Sequence, residues 1–228
     1  MLYTEANQLR FCPSSKQGHY ESYFLRANHP TKKQAFWLRY TIFSSIDKTT
    51  ELAEIWGAFF DNDEVIAIQQ DIPLKECNLT DSQNKIQLGN NVLQFAHLGK
   101  GNASGEVRDE ARDEKRAISW QLDYAGETKV LPLFPVPYYQ RSLPKAKVLV
   151  GIPQAFFNGQ LNINGETIDI NNWQGSENHN WGSKHTDEYA WGQVSGFDGE
   201  PDSFLECSTA RIKIGPLWSP KMSLAVLR

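Results

Sequence analysis

The sequence contains few cysteines and no long apolar run. Three of the 228 residues are cysteines (Cys12, Cys77 and Cys207), an odd number without a C-x-x-C pair, which favours reduced thiols over a disulfide framework. No apolar run approaches the ~18 residues that span a bilayer. The first twenty residues lack the charged-then-apolar layout of a secretion signal. We therefore expect a cytoplasmic protein without a transmembrane segment, for which peripheral membrane contact stays open.

Several functional motifs and a basic charge balance are also missing. A net charge of −4 and a pI near 5.8 argue against a nucleic-acid partner. The absence of a P-loop and of a G-x-S-x-G elbow excludes most nucleotide enzymes and the usual serine hydrolases. Glu177, His179 and His185 are a conceivable metal set, but the usual double-histidine spacing and a cysteine cluster are lacking. We expect neither a metal nor a cofactor.

Strand patterns dominate what is present. Aromatic residues make up 12% of the chain, and such residues suit pleated sheets and apolar pockets. In the second of several such segments, Phe36, Leu38, Tyr40 and Ile42 alternate with Trp37, Arg39 and Thr41, as in a strand with two different faces. Further strands are expected at residues 21–27, 54–60, 91–96, 104–108, 117–124, 203–215 and 221–228.

Turn signals separate these strands. Asn158-Gly159 and Asn164-Gly165 predict hairpin turns. The four prolines of residues 131–144 exclude a central strand or a helix and predict a rigid crossing or a loop over a barrel mouth. The charged run 105–117 has no apolar stripe, so we interpret it as a solvated hairpin rather than a helix. The whole pattern predicts an all-β protein, with an antiparallel barrel favoured over a sandwich.

One stretch, residues 176–197, combines aromatic rings with groups that can carry protons. Strand alternation puts Glu177, His179 and Trp181 on one face. On the following strand it puts Tyr189, Trp191, Gln193, Ser195 and Phe197 together, with small residues behind them. We expect His179, Trp181 and Trp191 to face one shared hollow. The alternative is an ordinary barrel core, in which buried tryptophan and histidine have only a packing role.

The order of these motifs resembles a known family. Residues 20–30, YESYFLRANHP, are similar to the FEGWYFK opening of tocopherol cyclases, and residues 178–197 resemble their EKNWG..FP..W.W.Q.N.F signature. Asn180, Trp181 and Gly182 match its N-W-G core, and Trp191, Gln193 and Phe197 match later positions. Asn178-His179 replaces the acid-lysine pair, so the charges of the cyclases are absent. The wider group includes carotenoid 1,2-hydratases (hydroxyneurosporene synthases) and AttH-like proteins.

This resemblance implies a fold and a division into domains. Members of the group are pairs of lipocalin-like (calycin) barrels that bind ligands in a cavity, and they usually continue well beyond the length of this chain. We expect residues 1–185 to form one lipocalin-like barrel. Residues 186–228 are then the opening strands of a second, incomplete barrel, so the sequence looks truncated.

The resemblance also suggests site residues. The carotenoid hydratases have a His-x-Trp pair, which resembles His179 and Trp181 of this sequence. They also have an aromatic-x-acid pair, which Phe204 and Glu206 match loosely. A carboxylic acid in an apolar cavity keeps its proton near neutral pH, so Glu206 is the candidate acid and His179 a proton relay. A slip of one residue would turn Glu206 to solvent. Ligand contacts are expected from Trp181, Tyr189, Trp191, Gln193 and Phe204.

The resulting hypothesis is a lyase of secondary metabolism acting on a lipophilic, isoprenoid- or polyketide-like molecule. Hydration or cyclisation of an alkene needs an acid and aromatic walls that stabilise a cation, with no redox cofactor. One alternative is a non-catalytic carrier of a hydrophobic ligand. Another is a scaffold or stress-related protein that has lost the ligand, because fold does not fix function. The substrate and the oligomeric state stay open.

Overall fold

The protein is built almost entirely of strands. The computed structural model describes residues 2–79, 84–109 and 116–228. One short helix, α1 (Tyr3–Ala6), and two 3-10 turns (Leu74–Glu76 and Val136–Tyr139) interrupt the β structure. The strands are β1 (His19–Asn28), β2 (Gln34–Ser44), β3 (Glu51–Asp61), β4 (Glu64–Pro73), β5 (Cys77–Asn78), β6 (Lys85–Leu88), β7 (Asn91–His97), β8 (Lys100–Arg108), β9 (Ala117–Gly126), β10 (Leu131–Pro132), β11 (Ala146–Ile163), β12 (Glu166–Gly182), β13 (Glu188–Phe197), β14 (Glu200–Arg211), β15 (Lys213–Ile214), β16 (Leu217–Trp218) and β17 (Met222–Leu227).

Most of these strands belong to one antiparallel sheet that curls into a nearly closed barrel. Its order is β4-β3-β2-β1-β12-β11-β9-β8-β7-β6-β5, with β10 added alongside β11. The long strand β12 pairs with β1 on one side and β11 on the other, so late residues of the chain complete the wall that the early strands begin. The prediction of an all-β antiparallel barrel is confirmed.

Alternation of side chains fills the barrel interior. Phe36, Leu38, Tyr40 and Ile42 of β2 are all buried, whereas Trp37 and Arg39 on the opposite face are partly exposed. Large rings from facing strands meet in this core: Phe36 lies edge-on to Phe157 with centroids 5.3 Å apart. The interior of this barrel is therefore packed with its own side chains in the region that the structure describes.

The turn predictions had mixed outcomes. Asn164 and Gly165, with φ of 54° and 95°, form the tight turn between β11 and β12, as predicted. Asn158-Gly159 was wrongly predicted as a hairpin: it lies inside β11, at an irregularity of register. The glycine is needed there because a Cβ would come 2.1 Å from the Gln121 carbonyl oxygen.

Two further loop predictions agree with the structure. The proline-rich segment 131–144 forms only the two-residue strand β10 and a short 3-10 turn. The charged segment joins β8 to β9, which pair antiparallel with Arg108 opposite Ala117, as a hairpin requires. Residues 110–115 of the predicted connection lie outside the described residues.

The chain changes sheets after Gly182. Strands β13, β14 and β17 form a separate three-stranded antiparallel sheet, and β15 pairs with β16. The change falls close to the predicted boundary at residues 185 and 186, but whether these strands open a second barrel stays a prediction. Within the described ranges, no helix is long and apolar enough to cross a membrane.

Gly182, the last residue of the N-W-G motif, sits where three strands converge. It pairs with Tyr20 of β1 and Ala146 of β11, and a Cβ at this position would lie 1.8 Å from the Lys145 carbonyl oxygen. We expect Gly182→Ala to lower the free energy of unfolding by at least about 2 kcal/mol, because backbone has to move to admit the methyl group. Urea unfolding measures this.

The strand residue Gly192 provides the matched control for that substitution. A Cβ there would meet only the Cys207 sulfur, at 3.2 Å, and a side chain can move aside more easily than a strand backbone. Gly192→Ala should therefore lower the free energy of unfolding much less than Gly182→Ala does. Equal destabilisation by the two substitutions would contradict the role given to Gly182.

Candidate functional site

Strand β12 separates two polar regions of the molecule. Glu177, His179 and Trp181 project from one face of it, toward the end of the barrel that carries α1. Asn178 projects from the other face, toward the three-stranded sheet, where its side-chain oxygen accepts a hydrogen bond from Gln193. The faces predicted for these residues from alternation are correct.

On the inner face, Glu21 is a fully buried carboxylate with many donors. Its oxygens accept hydrogen bonds from His179 Nε2 at 2.9 Å, His19 Nε2 at 2.8 Å, the Tyr23 hydroxyl at 2.9 Å and the Arg10 backbone N–H at 2.9 Å. Burial alone would raise the pKa of Glu21, but the hydrogen bonds and charge of His179 and His19 outweigh burial and hold this pKa at about 2. Glu21 is thus an ionised group in the barrel end.

Glu177 lies near the same barrel end but in a different state. It accepts hydrogen bonds from the hydroxyls of Tyr3 and Tyr124, at 2.7 and 2.5 Å, and from the Asn7 side-chain amide at 2.5 Å. Burial raises the pKa of Glu177, against the lowering effect of these donors. Because Tyr3 is the first residue of α1 and Asn7 directly follows the helix, Glu177 holds the N-terminal segment over the barrel end.

His179 links that N-terminal segment to Glu21. Its Nδ1 lies 2.7 Å from the Ala6 carbonyl oxygen, and its ring stacks on Tyr23 with centroids 4.0 Å apart. The side chain is fully buried among these partners. The expectation that His179 shares a hollow with Trp191 is therefore wrong, since the two rings stand on opposite sides of the barrel wall.

The outer side of the same wall carries a cavity of about 180 Å³. It lies between the outward faces of β1, β2 and β12 and the facing side of β13 and β14. A row of aromatic rings forms one wall: Trp191 lies edge-on to Phe24 with centroids 5.7 Å apart, and Phe24 lies 6.2 Å from Trp37. The volume accommodates a small apolar ligand or the reacting part of a larger one.

Glu206 stands at one end of this aromatic row. It is 4% exposed and accepts two hydrogen bonds of 2.6 Å, from Trp191 Nε1 and from Gln193 Nε2. Burial raises the pKa of Glu206, while these two donors and the charge of Arg26 act to lower it. A carboxyl group with a raised pKa beside an apolar cavity can both donate and take back a proton. Glu206 borders the cavity from the same face of β14 as Ser208 and Ala210.

Gln193 is held in one orientation by its own partners. Its side-chain oxygen accepts hydrogen bonds from Arg26 Nε and from the Ser176 hydroxyl, each at 2.5 Å. Its amide nitrogen therefore faces Glu206 and Asn178. Gln193 thus positions the Glu206 carboxyl group and is not part of the cavity wall.

The remaining predicted ligand residues are dispersed. Tyr189 stands at the rim of the cavity, 58% exposed, beside His185. Trp181 borders the cavity, but its ring packs against Tyr139 and His179. Phe204 was wrongly assigned to the hollow: it is 1% exposed and packs with Leu131, Val150 and Val226, because the Phe204 end of β14 lies over a different part of the barrel wall.

Sequence reasoning missed several residues that define the two regions. Phe24 and Trp37 form the cavity wall, and their places on the outward faces of β1 and β2 follow from alternation with Tyr23, Leu25 and Leu38. The signal for Glu21 was also present, since it shares a strand face with Tyr23. The partners Tyr3 and Tyr124 lie 174 and 53 residues from Glu177, and no local pattern connects them.

The conceivable metal set does not assemble. Glu177 and His179 face the barrel end, whereas His185 is exposed and packs against Tyr20 on the cavity side. Across residues 2–79, 84–109 and 116–228, no group of three or more His, Cys, Asp or Glu side chains converges in a way that could hold a metal ion.

We compared the sequence and the fold with those of known proteins. No family model matches the sequence. An uncharacterized protein of Mycobacterium tuberculosis, present in two strains, is 32% identical over 96 residues, which is 42% of this chain and 28% of that protein. An AttH-like protein from Nitrosomonas europaea superposes with a TM-score of 0.66 at 16% identity, over 93% of this chain and 65% of the other.

Two further solved structures extend this likeness. Kievitone hydratase from Nectria haematococca gives a TM-score of 0.63 at 12% identity, over 95% of this chain and 62% of that one. The structure of CghA with Sch210972 gives a TM-score of 0.55 at 12% identity, over 93% of this chain and 58% of that one. The chain shares the lipocalin-like fold of these solved structures. The fold is the one that the resemblance implied, and this chain spans less than two thirds of the length of each of these proteins.

Proposed function

We propose that this AttH-like protein binds a lipophilic small molecule in the cavity between the barrel wall and the three-stranded sheet. We further propose that Glu206 performs acid-base chemistry on an alkene of that molecule. The single observation that carries the proposal is a buried carboxyl group at the end of an apolar, aromatic-walled cavity. The superposition on a hydratase adds support through the shared fold alone.

The chemistry balances without an oxidant or a reductant. Protonated Glu206 gives its proton to one alkene carbon, the π electrons form the new C–H bond, and the other carbon becomes a cation. The faces of Trp191 and Phe24 stabilise that cation by roughly 0.5–2 kcal/mol each. A water molecule, or a hydroxyl group of the same substrate, then forms the C–O bond, and its proton returns to the Glu206 carboxylate.

Trp191 provides the test of binding. We expect Trp191→Ala to weaken the binding of the neutral fluorescent probe N-phenyl-1-naphthylamine about tenfold, because a ring face and part of the wall disappear. Trp218→Ala is the matched control: both indoles are 42% exposed, but Trp218 lies on β16, away from the cavity. Equal loss in both variants, or no probe binding by the wild type, would contradict the proposed site.

Glu206 provides the test of chemistry. Substrates are sought by mass spectrometry among isoprenoid and polyketide alkenes, as a mass gain of one water or as an isomer of changed retention. We expect Glu206→Gln to lower the rate at least about 100-fold, the scale of a lost general acid, while probe binding stays within about twofold. Binding without conversion by the wild type would instead support a carrier.

A further inference from the structure

The cavity has a second polar end, formed by Arg39. The guanidinium group lies 5.5 Å from the Tyr20 ring centroid and 5.7 Å from the Trp37 ring centroid, and it donates a hydrogen bond to the Tyr20 hydroxyl. The side chain is half-buried and borders the cavity. Arg39 lies opposite Phe24 in the pairing of β1 with β2. Phe24 contacts Trp191, and Trp191 in turn donates a hydrogen bond to Glu206.

Arg39 has no acidic partner among the residues that the structure describes. Within the part of the chain that the structure describes, no carboxylate lies within 4.0 Å of it, although eight ion pairs occur elsewhere. Glu206, the acidic residue that borders the cavity, is already held by Trp191 and Gln193. A partly desolvated guanidinium without a counter-charge is costly unless a ligand supplies one.

We infer that the ligand is an apolar molecule with a single carboxylate head group, and that Arg39 binds this head group. The inference rests on the proposed function, because it concerns the same cavity. A planar guanidinium fits a carboxylate with two parallel hydrogen bonds. A single carboxylate matches the single charge of the Arg39 guanidinium. Lys147 also borders the cavity, but its ammonium group donates to the Pro144 carbonyl oxygen at 2.5 Å.

This arrangement also fixes where the substrate reacts. With the head group on Arg39, the apolar chain follows the rings of Phe24 and Trp191 toward Glu206. The carbon that reaches Glu206 is then remote from the carboxylate. The reacting alkene is therefore expected at the far end of the molecule and not in conjugation with its head group.

Paired probes of equal chain length test the inference by calorimetry. Dodecanoate and dodecan-1-ol, each below its critical micelle concentration, share the apolar part and differ in charge. We expect the wild type to bind dodecanoate at least tenfold more tightly, with a preference that shrinks as salt is added. Arg39→Met should abolish the preference and leave the affinity for the alcohol within about twofold.

Arg141 offers a matched control. It is exposed and lies over the Tyr138 ring at 5.3 Å, a stacking geometry similar to that of Arg39, but it is remote from the cavity lining. Arg141→Met should retain the wild-type preference. A wild type that binds both probes equally, or an Arg39→Met variant that still prefers dodecanoate, would overturn the inference and leave the proposed function intact. Failure of both probes to bind would count against both.

Discussion

Replacing His179 with leucine is expected to lower the free energy of unfolding by about 3–5 kcal/mol, the usual cost of removing one partner from a buried ion pair. The substitution leaves the Glu21 carboxylate buried without its donor at 2.9 Å. It also leaves the Ala6 carbonyl oxygen without a partner beneath the N-terminal segment. Since single domains are stable by about 5–15 kcal/mol, the loss is large. Urea unfolding followed by tryptophan fluorescence measures it.

Two further variants test whether the destabilisation by His179→Leu comes from its pairing with Glu21 and not simply from replacing a histidine. His97 lies exposed on β7, so His97→Leu should change stability by no more than about 0.5 kcal/mol. The double variant Glu21→Leu with His179→Leu removes both partners and should regain part of the loss, because a buried carboxylate that has lost a strong donor is worse than an apolar pair. A double variant as unstable as the sum of the single variants would argue against the pairing.

The pairing of His179 with Glu21 also explains why the histidine of the His-x-Trp motif does not line the cavity. Glu21 and His179 hold Arg10 and Ala6 in place, and Glu177 holds Tyr3 and Asn7. Together these groups close one end of the barrel with the first residues of the chain. The His-x-Trp pair of this protein therefore stabilises the barrel end, whereas the acid of the aromatic-x-acid pair, Glu206, borders the cavity.

Much of the fold was predictable because alternation is a local property. The faces of β2, β12 and β13 follow from which residues are two apart, and the tight turn at Asn164-Gly165 follows from residues that tolerate positive φ. Asn158-Gly159 has the same local signal, but pairing of β11 with both neighbours continues through it. Long-range sheet pairing outweighed turn propensity there.

The candidate site was only half predictable for a physical reason. Alternation states which side chains share a face of one strand, but not which face of β12 is turned toward the separate sheet of β13 and β14. That choice depends on packing between sheets, through contacts such as Gln193 with Asn178 and Trp191 with Phe24. Glu206 therefore borders the cavity, whereas His179 lies on the other side of the wall.

Because the pKa of Glu21 is low in the folded protein, we expect acidification to lower the free energy of unfolding substantially. This pKa falls from an ordinary 4.5 to about 2 in the folded protein, which corresponds to about 3 kcal/mol of stability. Because the folded value is the lower one, this stability is fully present above pH 4.5. It declines as the pH falls toward 2 and is lost below that. Glu21 is fully buried, so solvent screening does not reduce this contribution to stability.

Comparison of the wild type with Glu21→Gln isolates that contribution. Glu177 has a raised pKa, so its effect has the opposite sign: it favours the folded state at low pH, and the benefit is lost as the pH rises through its folded value. Since Glu177 is present in both proteins, it cancels in their difference. We expect the wild type to be more stable by about 3 kcal/mol at pH 7 and by nearly nothing at pH 2, from urea unfolding at each pH. A difference that does not shrink on acidification would mean that Glu21 is not ionised in the barrel end, and the ion pair with His179 would have to be abandoned.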